Sequence, residues 1–276
     1  MALAELDLDS CRLLSAKHGL PLDFVVKEFR VFDALAELVG FEGGTELVFK
    51  GGTALNKIYF GEGAQRFSED LDFDLAAVRD LASARKFVER VSVFMQAVGF
   101  TPRGIRRLGR REPSLQVELE FDSPLGRKDF VRFDFAVKPA IAWEDVVKGV
   151  TARSSFTARA VGGLQAYSLD GLVARKISAL ADRCEGKDVF DVVRGIGKTS
   201  QDFPAAVRRM LSADGRSQAV KEFLLAAARR LRGADFVELR NLVNPYIPLA
   251  LRPRDAAAWK TDALTLAAEL ERRAGV

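Results

Sequence analysis

The amino-acid sequence predicts an α+β fold, a small mixed sheet with helices followed by a helical C-terminal domain. Three observations carry that expectation. Strand-type alternation is confined to residues 46–137, a glycine pair sits between one such run and a helix, and from Ser168 onward the pattern is amphipathic and rich in Ala, Leu and Arg. The expected organisation is an N-terminal helical segment over 1–44, a core over 45–140 and the helical domain over 141–276.

Residues 20–39 repeat apolar side chains every three or four positions between Pro21 and Gly40, which predicts a helix. A short strand over 46–49, a glycine turn at Lys50-Gly51-Gly52-Thr53 and a helix over 54–60 follow. In Asp70-Leu71-Asp72-Phe73-Asp74-Leu75 the alternation is strict, so a strand there puts three carboxylates on one face and three apolar side chains on the other. A helix is expected over 83–98, then strands over 115–121 and 130–137. In the last of these Val131, Phe133, Phe135 and Val137 face the core and leave Arg132 and Asp134 opposite. The arginine-rich stretch 102–113 reads as the loop before these strands, and helices are expected over 168–184, 188–196, 203–212, 217–232, 235–243 and 255–273, separated by Gly and Pro.

With 276 residues, 48% apolar and 29% charged, the chain has the composition of an ordinary globular protein, which excludes fibrous and disordered classes. Cys11 and Cys184 match no metal spacing and suggest two reduced thiols. No apolar run approaches the ~20 residues of a membrane span. The start carries Glu5, Asp7 and Asp9 in place of a basic leader, so a cytoplasmic location is expected. The lone histidine, His18, stands outside any motif and excludes histidine-dependent triads. Net charge is only +4, yet Arg103, Arg106, Arg107, Arg110 and Arg111 fall within nine positions, and Arg208, Arg209, Arg229, Arg230 and Arg232 follow later. Such clusters suit a phosphate backbone, or form ordinary solvated faces.

Asp70 and Asp72 on one strand face, with Asp134 on a second strand, compose a hard, oxygen-rich site suited to Mg2+ or Mn2+, which binds through a few carboxylates and substrate phosphates. Two such ions activate an attacking hydroxyl and stabilise a leaving pyrophosphate. Gly51-Gly52-Thr53 at a helix start offers backbone N–H groups to phosphate, and glycine lets a triphosphate come close. Taken singly, a glycine pair is a plain turn and an Asp-x-Asp pair is often no metal site. Their order and separation, with Ser68 two residues before Asp70, carry the specificity.

The run Gly51-Gly52-Thr53, then Arg66-Phe67-Ser68-Glu69-Asp70-Leu71-Asp72-Phe73, resembles the first motif of the DNA polymerase beta-like nucleotidyltransferase superfamily. More narrowly, the full KGGTALNK and RFSEDLDF segments are similar to the AbiEii/MenT group, nucleotidyltransferase toxins of bacterial type IV toxin–antitoxin and abortive-infection systems. A later block resembles further motifs of that group: Tyr167-Ser168-Leu169-Asp170, then Lys176-Ile177-Ser178-Ala179-Leu180, then Lys187-Asp188-Val189-Phe190-Asp191. The resemblance covers residues 45–195; beyond them the chain matches only in being helical. It implies a polymerase beta-like core and metal-dependent transfer of a nucleoside monophosphate from an NTP to an acceptor, above all the 3′ acceptor end of tRNA, which blocks translation. It also implies a cognate antitoxin encoded next door. Carried over by position, Asp70, Asp72, Lys176 and Asp191 are catalytic; Lys50, Gly51, Gly52, Thr53, Ser68 and Lys176 bind nucleotide; and Asp70, Asp72 and Asp134 bind metal.

Other readings stay beside this one. The acceptor is a protein or an antibiotic-like small molecule, or the fold is an inactive binding module; the arginine stretch favours RNA, and the retained Asp70, Asp72, Lys176 and Asp191 favour an enzyme. Gly197-Lys198-Thr199 ends like a P-loop, but position 192 is Val192 where glycine is required and a helix precedes it. Asp188 reads equally as a helix N-cap, Asp74 as a strand-end carboxylate, and Asp191 as a partner for Lys187, Arg183 or Lys176. Ser68 either bonds its turn or, phosphorylated, would set about −1.5 to −2 charges beside the triphosphate and inhibit.

Overall fold

The computed structural model describes residues 3–61, 63–78, 80–109 and 113–275. Two helices open the chain, α1 (Leu8–His18) and α2 (Leu22–Gly40). α1 is capped by Asp7, whose carboxylate accepts from the N–H groups of Asp9 and Ser10. The spacing of Val25, Val26, Val31, Ala34, Leu35 and Leu38 gives α2 a buried stripe. Strand β1 (Leu47–Lys50) runs into the one-turn helix α3 (Gly51–Ala54), which continues as a wider turn through Leu55–Tyr59. Strand β2 (Asp70–Leu75), helix α4 (Leu81–Ala97), the short edge strands β3 (Thr101–Pro102) and β4 (Arg106–Leu108), and the long hairpin β5 (Ser114–Asp122) and β6 (Lys128–Ala136) complete the expected core.

All four expected strands form, and three expectations change. First, 102–113 is not loop throughout: β4 pairs antiparallel with β5, Arg106 opposite Gln116. Arg110 and Arg111 lie outside the described residues. Second, two strands lie past the expected boundary at 140: β7 (Val146–Arg153) and β8 (Ala160–Tyr167), a hairpin that joins the same sheet through parallel pairing of β8 with β1. Glycine hides them, since Gly149 takes a left-handed φ of 72° at an irregular register and Gly162-Gly163 interrupts the apolar alternation. Third, the helix begins at Gly51 and not Ala54, with Lys50 as its cap position.

The sheet is mixed, in the order β3-β5-β6-β2-β1-β8-β7, with β4 beside β5. Leu71, Phe73, Val131, Phe133, Phe135, Val117 and Leu119 are buried on the face covered by α2 and α4. The polar face is covered on one side by α5 (Leu169–Asp182), capped at Ser168, whose Oγ accepts from the N–H of Gly171. Helices α6 (Gly186–Gly195), α7 (Phe203–Ala213), α8 (Val220–Arg232), α9 (Phe236–Val243) and α10 (Ala256–Arg273) follow, close to the expected spans. One apolar cluster runs through sheet and helices alike. Gly195 closes α6 and Ile196–Lys198 is a short 3-10 turn, so the P-loop reading has no structural basis. Among the described residues no helix is long and apolar enough to cross a membrane.

Candidate active site

Strand register builds the site. Lys50 on β1 stands opposite Asp72 on β2, Asp72 beside Asp134 on β6, and Asp134 opposite Gln116 on β5. Because side chains alternate along a strand, the four share the polar face as a row, with Asp70 one step along β2. Burial, with Asp72 adding repulsion, raises the Asp70 pKa. Burial and Asp134 raise that of Asp72 against the pull of Lys50, and burial raises that of Asp134 although Gln116 donates to it at 3.2 Å. Buried like charge is thus crowded along the row, only partly offset by Lys50 and Arg132. Its carboxylates lie side by side and do not surround a point: among the described residues no three His, Cys, Asp or Glu groups are set to hold a metal by themselves. Oxygen-only donors that repel one another fit a hard divalent cation that completes its shell with substrate phosphates and water.

The glycine turn is shaped around this row. Gly51 has φ 77°, and a Cβ there would overlap the Asp72 carboxylate. A Cβ on Gly52 would stand 2.5 Å from an Arg66 nitrogen and 3.3 Å from Ser68 Oγ. Ser68 is thus buried against the turn. The side chain of Thr53 turns away from the row, its hydroxyl donating to the Asp70 carbonyl at 2.5 Å and tying α3 to the start of β2.

Beneath the row lies a matched set of charges. Asp191 is fully buried on α6 and receives Arg66 on both oxygens, at 2.9 and 2.7 Å, with Asn56 at 2.9 Å. Lys176 on α5 reaches Asp188 and Asp191, each at 3.1 Å, and Arg183 grips Asp188 with Nε at 2.9 Å. Burial alone would discharge Lys176, yet Asp191 and Asp188 outweigh it and raise its pKa. Burial would likewise neutralise Asp188 and Asp191, but Lys176 with Arg183 holds Asp188 at about 2, and Arg66 with Lys176 lowers Asp191. Asp188 is therefore no N-cap. Asp191 does not line the cleft but is ion-paired to Lys176, which does. Lys187 turns elsewhere, its ammonium 3.6 Å from the centre of the Tyr246 ring.

Between α5, α7 and the row opens a cleft of about 410 Å3 lined by Lys50, Gly51, Gly52, Asp72, Lys138, Arg175, Lys176, Arg183 and Asp214. Sequence reasoning missed Lys138, Arg175 and Asp214, because nothing local marks three residues brought together from just past β6, from α5 and from the C-cap of α7. Lys138 meets Asp214 at 2.9 Å. Asp74 is not a simple strand end: it is fully buried and bonded to Lys50 at 2.5 Å and Tyr167 at 2.7 Å. Burial would raise its pKa, but Lys50, Arg175 and Lys138 bring it down to about 2. Arg103, Arg106 and Arg107 are not in the cleft. They flank the far edge of the sheet, Arg103 paired with Glu120, Arg106 3.8 Å from Glu118, and Arg107 exposed.

A row of carboxylates beside a cation-lined cleft suits phosphoryl transfer. The family model of the nucleotidyl transferase AbiEii toxin, type IV toxin–antitoxin system, matches residues 33–265, and the chain belongs to that family. Among solved structures it is similar to the nucleotidyltransferase toxin MenT4 from Mycobacterium tuberculosis, at 19% identity and a TM-score of 0.56, covering 98% of this chain and 93% of that one. No curated protein sequence matches the chain.

Proposed function

We propose that this member of a nucleotidyltransferase toxin family transfers a nucleoside monophosphate from an NTP to the 3′ acceptor end of a tRNA and thereby blocks translation. The observation that carries the reading is the register row Lys50, Asp72 and Asp134 bordering a cleft walled by Arg175, Lys176 and Arg183. Lys50, Lys176, Arg175 and Arg183 bind the triphosphate, whose close approach over Gly51 and Gly52 needs no Cβ in the way. Asp134, at the open side of the row, takes the proton of the acceptor hydroxyl. The hydroxyl oxygen bonds to the α-phosphorus, the bond from that phosphorus to the β-bridging oxygen breaks, and Lys176 neutralises the pyrophosphate that leaves. Asp70, Asp72 and Asp134 would hold Mg2+ or Mn2+, which supplies Lewis-acid activation of the hydroxyl and charge neutralisation of the leaving group.

RNA is supported over a small acceptor by the exposed Arg106 and Arg107 on β4, outside the cleft lining, since a small acceptor held in the cleft has no use for them and a polyanion has. The family's type IV toxin–antitoxin description supports a neutralising antitoxin partner. The test is incubation with each labelled NTP, Mg2+ and, in parallel, total tRNA, total protein and an aminoglycoside panel. Label in tRNA is expected. Label in protein or antibiotic reassigns the acceptor, and none in any arm with folded protein overturns the transferase reading.

A further inference from the structure

Of the carboxylates in the row, Asp70 carries a guanidinium. Arg132, its register neighbour on β6, donates to Asp70 at 3.1 Å through NH1 and reaches Glu118, on the next strand, at 3.5 Å through NH2. The third donor of the fork, Nε, is buried and has no hydrogen-bond partner among the described residues. The guanidinium lies 5.2 Å from the centre of the Phe130 ring and is about a quarter exposed, at 28%. Losing Asp70 would leave Arg132 anchored to Glu118, so the change is a pivot and not an escape. The cleft lining takes in Asp72 but stops short of Asp70, Asp134 and Arg132. The guanidinium therefore lies outside the lining of that cleft, beside the row.

We propose that Arg132 is an exchangeable counter-ion, pairing with Asp70 while no divalent cation is bound there and turning to a phosphodiester of the acceptor strand once one is. The inference rests on the metal and RNA reading above. Physically, a carboxylate between repelling neighbours needs a cation, and the fork supplies one that a divalent ion displaces. Once freed, NH1 offers its N–H donors to a phosphate oxygen while NH2 stays on Glu118, a charge-assisted contact. Divalent ion and acceptor RNA then favour each other's binding, because each removes a competitor of the other, and the coupling is reciprocal.

The experiment measures Mn2+ binding by titration calorimetry, and binding of a fluorescent RNA hairpin with a single-stranded 3′ end by anisotropy with and without Mn2+. Wild type, Arg132→Gln, Arg132→Lys, Arg106→Gln and Asp72→Asn are compared, each with a matched circular dichroism spectrum. Arg106→Gln removes the same charge further out on the sheet. The expected result is Mn2+ affinity about tenfold tighter in Arg132→Gln and less than about threefold tighter in Arg106→Gln, with Arg132→Lys between wild type and Arg132→Gln. Mn2+ strengthens RNA binding in wild type and Arg106→Gln, and that gain is absent in Arg132→Gln. Unchanged or weaker Mn2+ binding in Arg132→Gln, equal tightening in Arg106→Gln, or a retained RNA gain overturns the proposal. Wild-type Mn2+ binding that Asp72→Asn abolishes, with Arg132→Gln unresponsive, overturns this inference alone; no Mn2+ binding by any variant overturns the metal reading with it.

Discussion

The carboxylate row on the sheet and the buried ions under α5 and α6 use the same residue types to opposite effect. In the row, Asp70, Asp72 and Asp134 repel one another and have raised pKa values. Below it, Asp188 and Asp191 are gripped by Arg66, Lys176 and Arg183 and have lowered ones. On the reading proposed above, mismatched charge is held where substrate would arrive, and matched charge where Lys176 has to be aimed. The first would serve chemistry at a cost in stability, and the second is costly to break because each partner lost leaves others buried and unpaired.

The largest expected effect on transfer is at the row. Asp72→Asn should cut it by about a thousandfold or more, since a carboxylate that would hold the divalent cation beside the reacting phosphate is gone. Because it relieves repulsion, its melting temperature should equal or exceed that of wild type. Lys176→Ala should cost about 10^2–10^3 in kcat. Asp191→Ala should do similar damage while also lowering Tm by roughly 10 °C, the consequence of about 3–5 kcal/mol for leaving Arg66 and Lys176 buried without their partner. A mild Asp191→Ala melt, matching that of Asp72→Asn, would erase the distinction between the two regions.

A third expectation sharpens it through pH. Asp188 has a folded pKa of about 2, below its unfolded value near 4, so its stabilisation is present above pH 4 and is lost as the pH falls from about 4 to about 2. Asp188→Asn should destabilise at neutral pH and converge with wild type near pH 2, followed by chemical denaturation. The smallest effect is at the sheet edge. Replacing Arg106 and Arg107 by Gln should weaken RNA binding a few-fold and lower the salt slope by about 1 to 2; an unchanged slope would make them solvated edge residues.

How far these regions could be read from sequence follows from what sets each. The row was legible because the period of a strand makes Asp70 and Asp72 share a face whatever the partner, and Phe133 and Phe135 fix which way Asp134 points. Helices α5 to α10 were legible from their amphipathic spacing and the Gly and Pro between them; the structure adds Ser168 and Asp235 as caps. The hairpin β7–β8 was not, because its bulges and glycines break the alternation. Nor was the role of Arg66, which stands in the quoted motif but meets Asp191 across 125 positions of sequence. Arg132 was assigned only to a polar face; that its neighbour there is Asp70 depends on parallel register between β2 and β6, which no local pattern encodes.

The central claim is that mismatch at the row is where the chemistry occurs and that the buried ions only aim it. Single-turnover transfer of labelled NTP to tRNA, measured beside thermal melting for Asp72→Asn and Asp191→Asn, tests it most directly. The account predicts that Asp72→Asn is inactive with an undiminished Tm and that Asp191→Asn loses both. Transfer retained by Asp72→Asn, or a loss of Tm as large as that of Asp191→Asn, would contradict it.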